Sequence, residues 1–328
     1  MFRKILFLTL LPALLLTGCG PARSATPIDM PAPVSTKLPA TEAAVAAPTA
    51  SDEIKLTDGL NRSVVLKGAA QRVISLAPSN TEILFAIGAG EQVVGRDEYS
   101  DYPEAAKNVA SIGSAFETLN TELIVSMKPD LVLAANINKP EQVKTLEDLG
   151  LTVYYLKNPT TLEEMYANLE IVAQLTGRES EAAALIESLK ARVTAVDEKI
   201  KPISSRFSVF YEIDGTDPSK PFTAGKGTFI NLLIERAGGS NIASDIDGYP
   251  QLSLEQVVAK DPAFIILGDA KFGTTPESIA QRPGWANLSA VKNKQVLPFN
   301  DDLLSRPGPR MVDGLEALAK LLRPELFK

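Results

Sequence analysis

The sequence predicts two α/β lobes, each a Rossmann-like, mostly parallel sheet with helices, joined by a single long linking helix and leaving a ligand cleft between them. Three observations carry this. First, short runs of Val, Ile and Leu alternate with helical stretches across short loops in both halves, the pattern of parallel sheets. Second, residues 179–201, ESEAAALIESLKARVTAVDEKIK, place apolar residues at Ala182, Leu185, Ile186, Leu189, Val193, Val196 and Ile200, steps that lay one stripe along a helix. At ~1.5 Å per residue that helix runs roughly 34 Å, and Gly177 and Pro202 bound it. Third, Glu122–Ala134 and Glu255–Leu267 each read as a helix, a proline stop (Pro129, Pro262) and a buried strand at the same spacing.

These signals divide the 328 residues into five parts. Residues 1–18 are a lipoprotein signal peptide, 19–52 a disordered tether, 53–178 an N-terminal lobe, 179–202 the linking helix and 203–328 a C-terminal lobe. Arg3 and Lys4 precede the apolar run Ile5–Leu16, which is too short to span a bilayer comfortably. Leu16-Thr17-Gly18-Cys19 resembles a bacterial lipobox, in which Cys19 becomes the lipidated first residue; the competing reading is a plain secretory signal with an incidental cysteine. Residues 20–52 are rich in Pro, Ala, Thr and Ser and lack an apolar period, as a tether should. The expected location is extracytoplasmic, lipid-anchored to the membrane.

Taken in order, Ile54–Leu66 is a hairpin around Asp58-Gly59. Arg72–Leu76 is a strand, and Ala77–Asn80 a turn capping a helix over Thr81–Ile87. Val93–Gly95 resumes a strand; Leu119–Lys128 is a helix, Leu131–Ala135 a strand, Glu141–Leu149 a helix and Val153–Leu156 a strand. Thr161-Leu-Glu-Glu164 opens the next helix as a capping box. In the second half, Arg206–Ile213 is a strand, Phe229–Ala237 a helix closed by Gly238-Gly239, and Leu254–Ala259 a helix. Ala263–Leu267 and Val296–Phe299 are strands, and Met311–Leu322 is a helix stopped by Pro324.

Composition narrows the function. Net charge is −7, two units more negative once Arg3 and Lys4 leave with the signal, which argues against nucleic-acid binding. With no histidine the chain has no Ser–His–Asp triad, Cys–His pair or His-ligated metal, and with one cysteine it has no internal disulfide. Gly88-Ala89-Gly90 ends a helix and lacks the third glycine of a dinucleotide fingerprint. Pro140-Glu141 and Pro276-Glu277 each open a helix after the echoed strand. Taken singly each glutamate is helix-start chemistry; as a pair they mark one acidic knob per lobe.

The motifs Arg72-Val-Ile-Ser-Leu-Ala-Pro-Ser-Asn-Thr-Glu82, Tyr99-Ser-Asp-Tyr-Pro103 and Lys128-Pro-Asp-Leu-Val-Leu-Ala134 together resemble the helical-backbone (class III) substrate-binding lipoproteins of ABC importers, over residues 54–325. That family carries cobalamin, iron siderophores or haem, and the chain looks most similar to its cobalamin-binding members. The resemblance implies corrinoid contacts from Tyr99, Phe116, Phe222 and Tyr249, with Asp302 and Arg306 addressing the amide fringe. Ala135 and Asn136 stand where a further tryptophan is expected, thinning the aromatic wall. Glu141 matches a glutamate that docks on the permease, and Glu277 is its second-lobe counterpart.

The implied protein is a monomer, not an enzyme and without a cofactor of its own. It captures a cobalamin-like corrinoid and delivers it to a permease dimer with ATPase subunits. The alternative ligand is a ferric siderophore or haem, for which Arg306, Lys226 and Arg310 are a thin supply of cations. A hydrolase using Asp245, Asp247, Asp301 or Asp302, and an adhesion or scaffold lipoprotein, are the readings from other classes.

Overall fold

The computed structural model describes residues 53–116 and 119–328; the signal peptide, Cys19 and the tether of the sequence reading lie outside the described residues. The chain begins with β1 (Ile54–Thr57) and β2 (Ser63–Leu66), an antiparallel hairpin. The first lobe follows as β3 (Val73–Ser75), α1 (Pro78–Ala86), β4 (Val93–Arg96), α2 (Thr121–Ser126), β5 (Leu131–Ala135), α3 (Pro140–Asp148), β6 (Val153–Leu156) and α4 (Leu162–Thr176). After α5 (Glu179–Ile200), the second lobe runs β7 (Phe207–Glu212), α6 (Phe229–Arg236), β8 (Gly239–Asn241), α7 (Leu254–Lys260), β9 (Phe264–Leu267), α8 (Pro276–Gln281), α9 (Ser289–Lys292), β10 (Val296–Pro298), α10 (Asp302–Ser305) and α11 (Met311–Leu322).

The two sheets, β4-β3-β5-β6 and β10-β9-β7-β8, are parallel throughout. Counted within its own lobe, each places its strands in the order second, first, third, fourth. One topology is thus used twice, and the sequence echo falls on its third strand, β5 and β9. Among the described residues no helix is long and apolar enough to cross a membrane.

A single core threads both lobes. It passes from Val73, Leu131 and Leu133 of the first sheet through Met165 and Leu169 of α4, along α5, and through Leu315 and Leu318 of α11 to Val209, Tyr211 and Ile266 of the second sheet. On α5 the stripe Ala182, Ile186, Leu189, Val193, Val196 and Ile200 is buried, and Leu185 half-buried. Each large side chain in such a stripe contributes about 1.5–3 kcal/mol by leaving water. Ion pairs fasten the same helix to the second lobe: Arg192 reaches Asp313 at 2.6 Å and Glu316 at 2.9 Å, and Asp197 holds Arg236 at 2.6 Å. The other face of each sheet closes over a smaller core of its own, around Ile74 and Val132 in one lobe and Phe210 and Trp285 in the other.

Three local readings are corrected. Pro78 sits inside the first turn of α1, where its missing N–H is no loss, so the helix starts three residues early. Gly239 begins a strand instead of only ending a helix; a Cβ there would stand 3.0 Å from both Val209 and Ile234, and so small a residue gives no strand signal. At the start of α4, Thr161 caps Glu164 N–H as expected, but the Glu164 carboxylate takes the N–H of Thr160 at 2.6 Å, outside the box.

The hairpin loop is organised by Asp58, whose carboxylate accepts from the N–H groups of Leu60, Arg62 and Tyr155 at 3.0, 2.9 and 3.1 Å and pairs with the Arg62 guanidinium. Burial alone would raise this carboxyl, but the Arg62 and Tyr155 bonds outweigh it and hold it below its ordinary 3.8. A carboxyl lowered by folding adds stability above its unfolded value and loses it as pH falls through the folded one. Asp58→Asn is therefore expected to flatten the fall in stability below about pH 4, measured by urea unfolding at a series of acid pH values.

Candidate functional site

The carboxyl ends of both parallel sheets open on one cleft between the lobes, where open α/β sheets bind ligands. Two adjoining hollows, of about 620 and 500 Å³, share Ile137, Asn158 and Ser305 in their walls. Tyr99, Phe116, Asp302 and Arg306 line the first; Phe222, Tyr249 and Asp301 line the second. All six residues predicted to contact ligand thus converge on one continuous space. Ala135 borders the first hollow and Asn136 the second, so the missing tryptophan of the sequence reading is a gap in this wall. Lys226 and Arg310 border neither hollow.

Each aromatic is carried on a fixed loop. Tyr99 and Phe116 meet edge to face, ring centres 5.6 Å apart. Their two loops are joined by buried Asp97, whose carboxylate accepts from Tyr99 N–H at 2.9 Å and Ala115 N–H at 2.6 Å. Burial raises the Asp97 carboxyl above its ordinary range, and those two N–H bonds offset only part of the rise. Phe222 is held by backbone pairing: its N–H donates to Asp214 C=O at 2.8 Å and its C=O accepts from Ile213 N–H at 2.9 Å. Three residues on, a side chain at Gly225 would lie 2.1 Å from the Ile246 carbonyl, so glycine is required for this loop to lie against its neighbour. Half-exposed Tyr249 is on that neighbouring loop, whose Pro250 C=O accepts from Thr223 N–H at 2.9 Å. Beneath it the fully buried Tyr211 hydroxyl donates to Asp301 at 2.6 Å.

The charged floor joins the lobes. Arg306 pairs with Glu82 at 3.1 Å, Asp101 at 2.7 Å and Asp302 at 3.3 Å. Arg310 pairs with both oxygens of Glu82, at 2.8 Å from Nε, and stacks 3.9 Å above the Tyr102 ring. Lys271 closes on Asp302 at 2.7 Å. Three carboxylates and three cations therefore balance. Burial pushes Glu82 up, and its two arginines offset only part of that. For Asp101 burial also raises, but Arg306 outweighs it and holds the carboxyl below its ordinary range. The Arg306 side chain is only 11% exposed and ties α1 to α10.

Sequence reasoning missed Asp97, the interlobe role of Glu82, and Phe272, which is 80% exposed on the first hollow's second-lobe side. Asp97 and Phe272 each follow the end of a parallel strand, the one signal that would have found them. Glu141 and Glu277 are exposed in the first turns of α3 and α8, the helices that follow the third strand of each lobe. Their equivalence in sequence is thus an equivalence of topology. Among the described residues no group of three or more acidic or sulfur ligands is placed to hold a metal ion.

A model of the periplasmic binding protein family matches residues 73–303. A substrate-binding lipoprotein of an ABC transporter in Bacillus subtilis, itself uncharacterized, is 33% identical over 324 residues, 97% of this chain and 96% of that one. The solved periplasmic vitamin B12-binding protein of Vibrio cholerae is 31% identical with a TM-score of 0.67, covering 79% of this chain and 99% of its own. A periplasmic haem-binding protein from Roseiflexus, solved without ligand, is 28% identical with a TM-score of 0.70, covering 79% and 100%.

Proposed function

This chain belongs to the periplasmic binding protein family, and from that premise we propose that it captures a corrinoid, cobalamin or a close relative, and hands it to an ABC importer. The observation that carries the reading is the convergence of Tyr99, Phe116, Phe222 and Tyr249 with the Asp302–Arg306 pair on one interlobe space. A corrin is broad, largely apolar and fringed with amides. Aromatic faces give it contact area at small entropic cost, and amides both donate to carboxylates and accept from guanidinium. The floor's balance of charge suits an uncharged guest, because every cation in it already has a carboxylate partner and a polyanionic siderophore calls for free ones. The relatives named for vitamin B12 and for ABC transport support the same reading.

A second reading, haem or a ferric siderophore, draws on the haem-binding neighbour and on Tyr99, since a tyrosine oxygen is one of the ligands iron accepts. Histidine ligation is closed to it.

Delivery requires docking. Glu141 and Glu277 offer one acid per lobe to a two-fold permease, and the lipid at Cys19 keeps the protein at the membrane. Uptake of labelled cobalamin by cells carrying the Glu141→Ala, Glu277→Ala double variant tests this. Uptake is expected to fall by an order of magnitude or more while the purified variant binds ligand unchanged. Normal uptake by the variant would refute the docking role.

A further inference from the structure

We infer that Phe272 is a ligand-binding residue, the second lobe's half of an aromatic clamp that closes on the guest opposite Tyr99 and Phe116. This rests on the cleft reading above and goes beyond it, because neither the motifs nor the charged floor pointed to residue 272. Phe272 is 80% exposed, the most exposed of the large apolar side chains among the described residues. An isolated exposed phenylalanine is unremarkable; this one lines the 620 Å³ hollow. On that hollow the first lobe supplies Tyr99 and Phe116, and the second lobe supplies no aromatic but Phe272. Phe222 and Tyr249, the other second-lobe aromatics of the cleft, line the adjoining hollow.

The segment that carries Phe272 is rigid at its base. Residues 268–272 form a single 3-10 turn after β9. Gly268 lies so close to Tyr211 that a Cβ would meet its hydroxyl at 2.5 Å. Asp269, buried, accepts from Gly215 N–H at 3.1 Å and from the Thr274 hydroxyl at 2.8 Å. Gly273 ends the turn at φ 103°. The ring is therefore presented on a fixed mount, not a floppy loop, and ordering it on binding costs little. Lys271 beside it is drawn to Asp302 and lies 5.3 Å from the Phe272 ring centre, which leaves the ring as the apolar surface of this wall. A flat guest in the first hollow would meet aromatic surface from both lobes, compensating for the gap at Ala135 and Asn136.

The test compares the full chain with Phe272→Ala, Phe272→Trp and Tyr99→Ala by equilibrium dialysis and stopped-flow dissociation, using cyanocobalamin as probe. Phe272→Ala should leave the melting temperature unchanged, because the ring is 80% exposed. It should weaken binding about five- to twentyfold, mainly through faster dissociation. Phe272→Trp should bind within about twofold of the unaltered chain, and its indole emission should be quenched as the coloured ligand saturates; the one native tryptophan, Trp285, is fully buried. If Phe272→Ala binds as tightly as the unaltered chain while Tyr99→Ala loses affinity, the clamp is refuted and the cleft assignment stands. If the unaltered chain binds no corrinoid at all, the proposed function fails and the clamp fails with it.

Discussion

Replacing Glu82 by alanine is expected to destabilise the protein by about 3–5 kcal/mol, the usual cost of leaving buried charge without its partner. Glu82 has a side chain 1% exposed and is the acid that both Arg306 and Arg310 reach across from the second lobe. Without it Arg310 keeps the Tyr102 ring but no carboxylate in ion-pair contact among the described residues, while Arg306 retains Asp101 and Asp302. The double variant Glu82→Leu, Arg310→Met should recover much of the loss, because an apolar pair of similar volume often replaces a buried ion pair without penalty. Urea unfolding of the single and double variants checks both. A Glu82→Ala midpoint equal to the unaltered chain's would mean that the lobes do not depend on this contact.

The second large effect belongs to ligand binding. Tyr99→Ala should weaken corrinoid affinity by about 30-fold or more, the size of a hot-spot truncation, with little loss of stability because the ring is half exposed. Tyr99→Phe should keep most of the affinity if the contact is made by the ring face. Substantial loss in Tyr99→Phe would shift weight to the hydroxyl and to an iron-bearing ligand. The two sets of variants separate the roles of the cleft: Glu82 holds the walls together and Tyr99 meets the guest.

Much of this architecture is legible in the residues. The α5 stripe is regular because one face of that helix must bury against both lobes, and Gly177 ends α4 in the left-handed conformation, at φ 69°. The repeated helix, proline and strand falls on topologically equivalent strands because both sheets use one winding order. The linking helix bears on function too: packed along its length and ion-paired at Arg192 and Asp197, it is suited to small lobe motions rather than wide hinge closure.

The cleft was legible where it uses recognisable motifs and silent where it depends on long-range contact. Tyr99 and Arg306 stand in short, readable segments, but nothing local to Glu82 says that its partners lie 224 and 228 residues away. Asp97 is equally mute in sequence: its task is to join two loops by accepting backbone N–H groups, a task open to any acidic residue after a strand. Phe272 follows Lys271 with no pattern around it, and its meaning comes only from the hollow that it borders.

Equilibrium dialysis of the full chain against cyanocobalamin, cobinamide, haem and a ferric hydroxamate decides whether an uncharged, amide-fringed corrin fills the space between the lobes. Saturable binding of one corrinoid per chain is expected, with a dissociation constant below ~10 μM, and binding weaker than that for the iron chelates. Tight binding of haem or the hydroxamate with corrinoid affinity weaker than ~10 μM would contradict it.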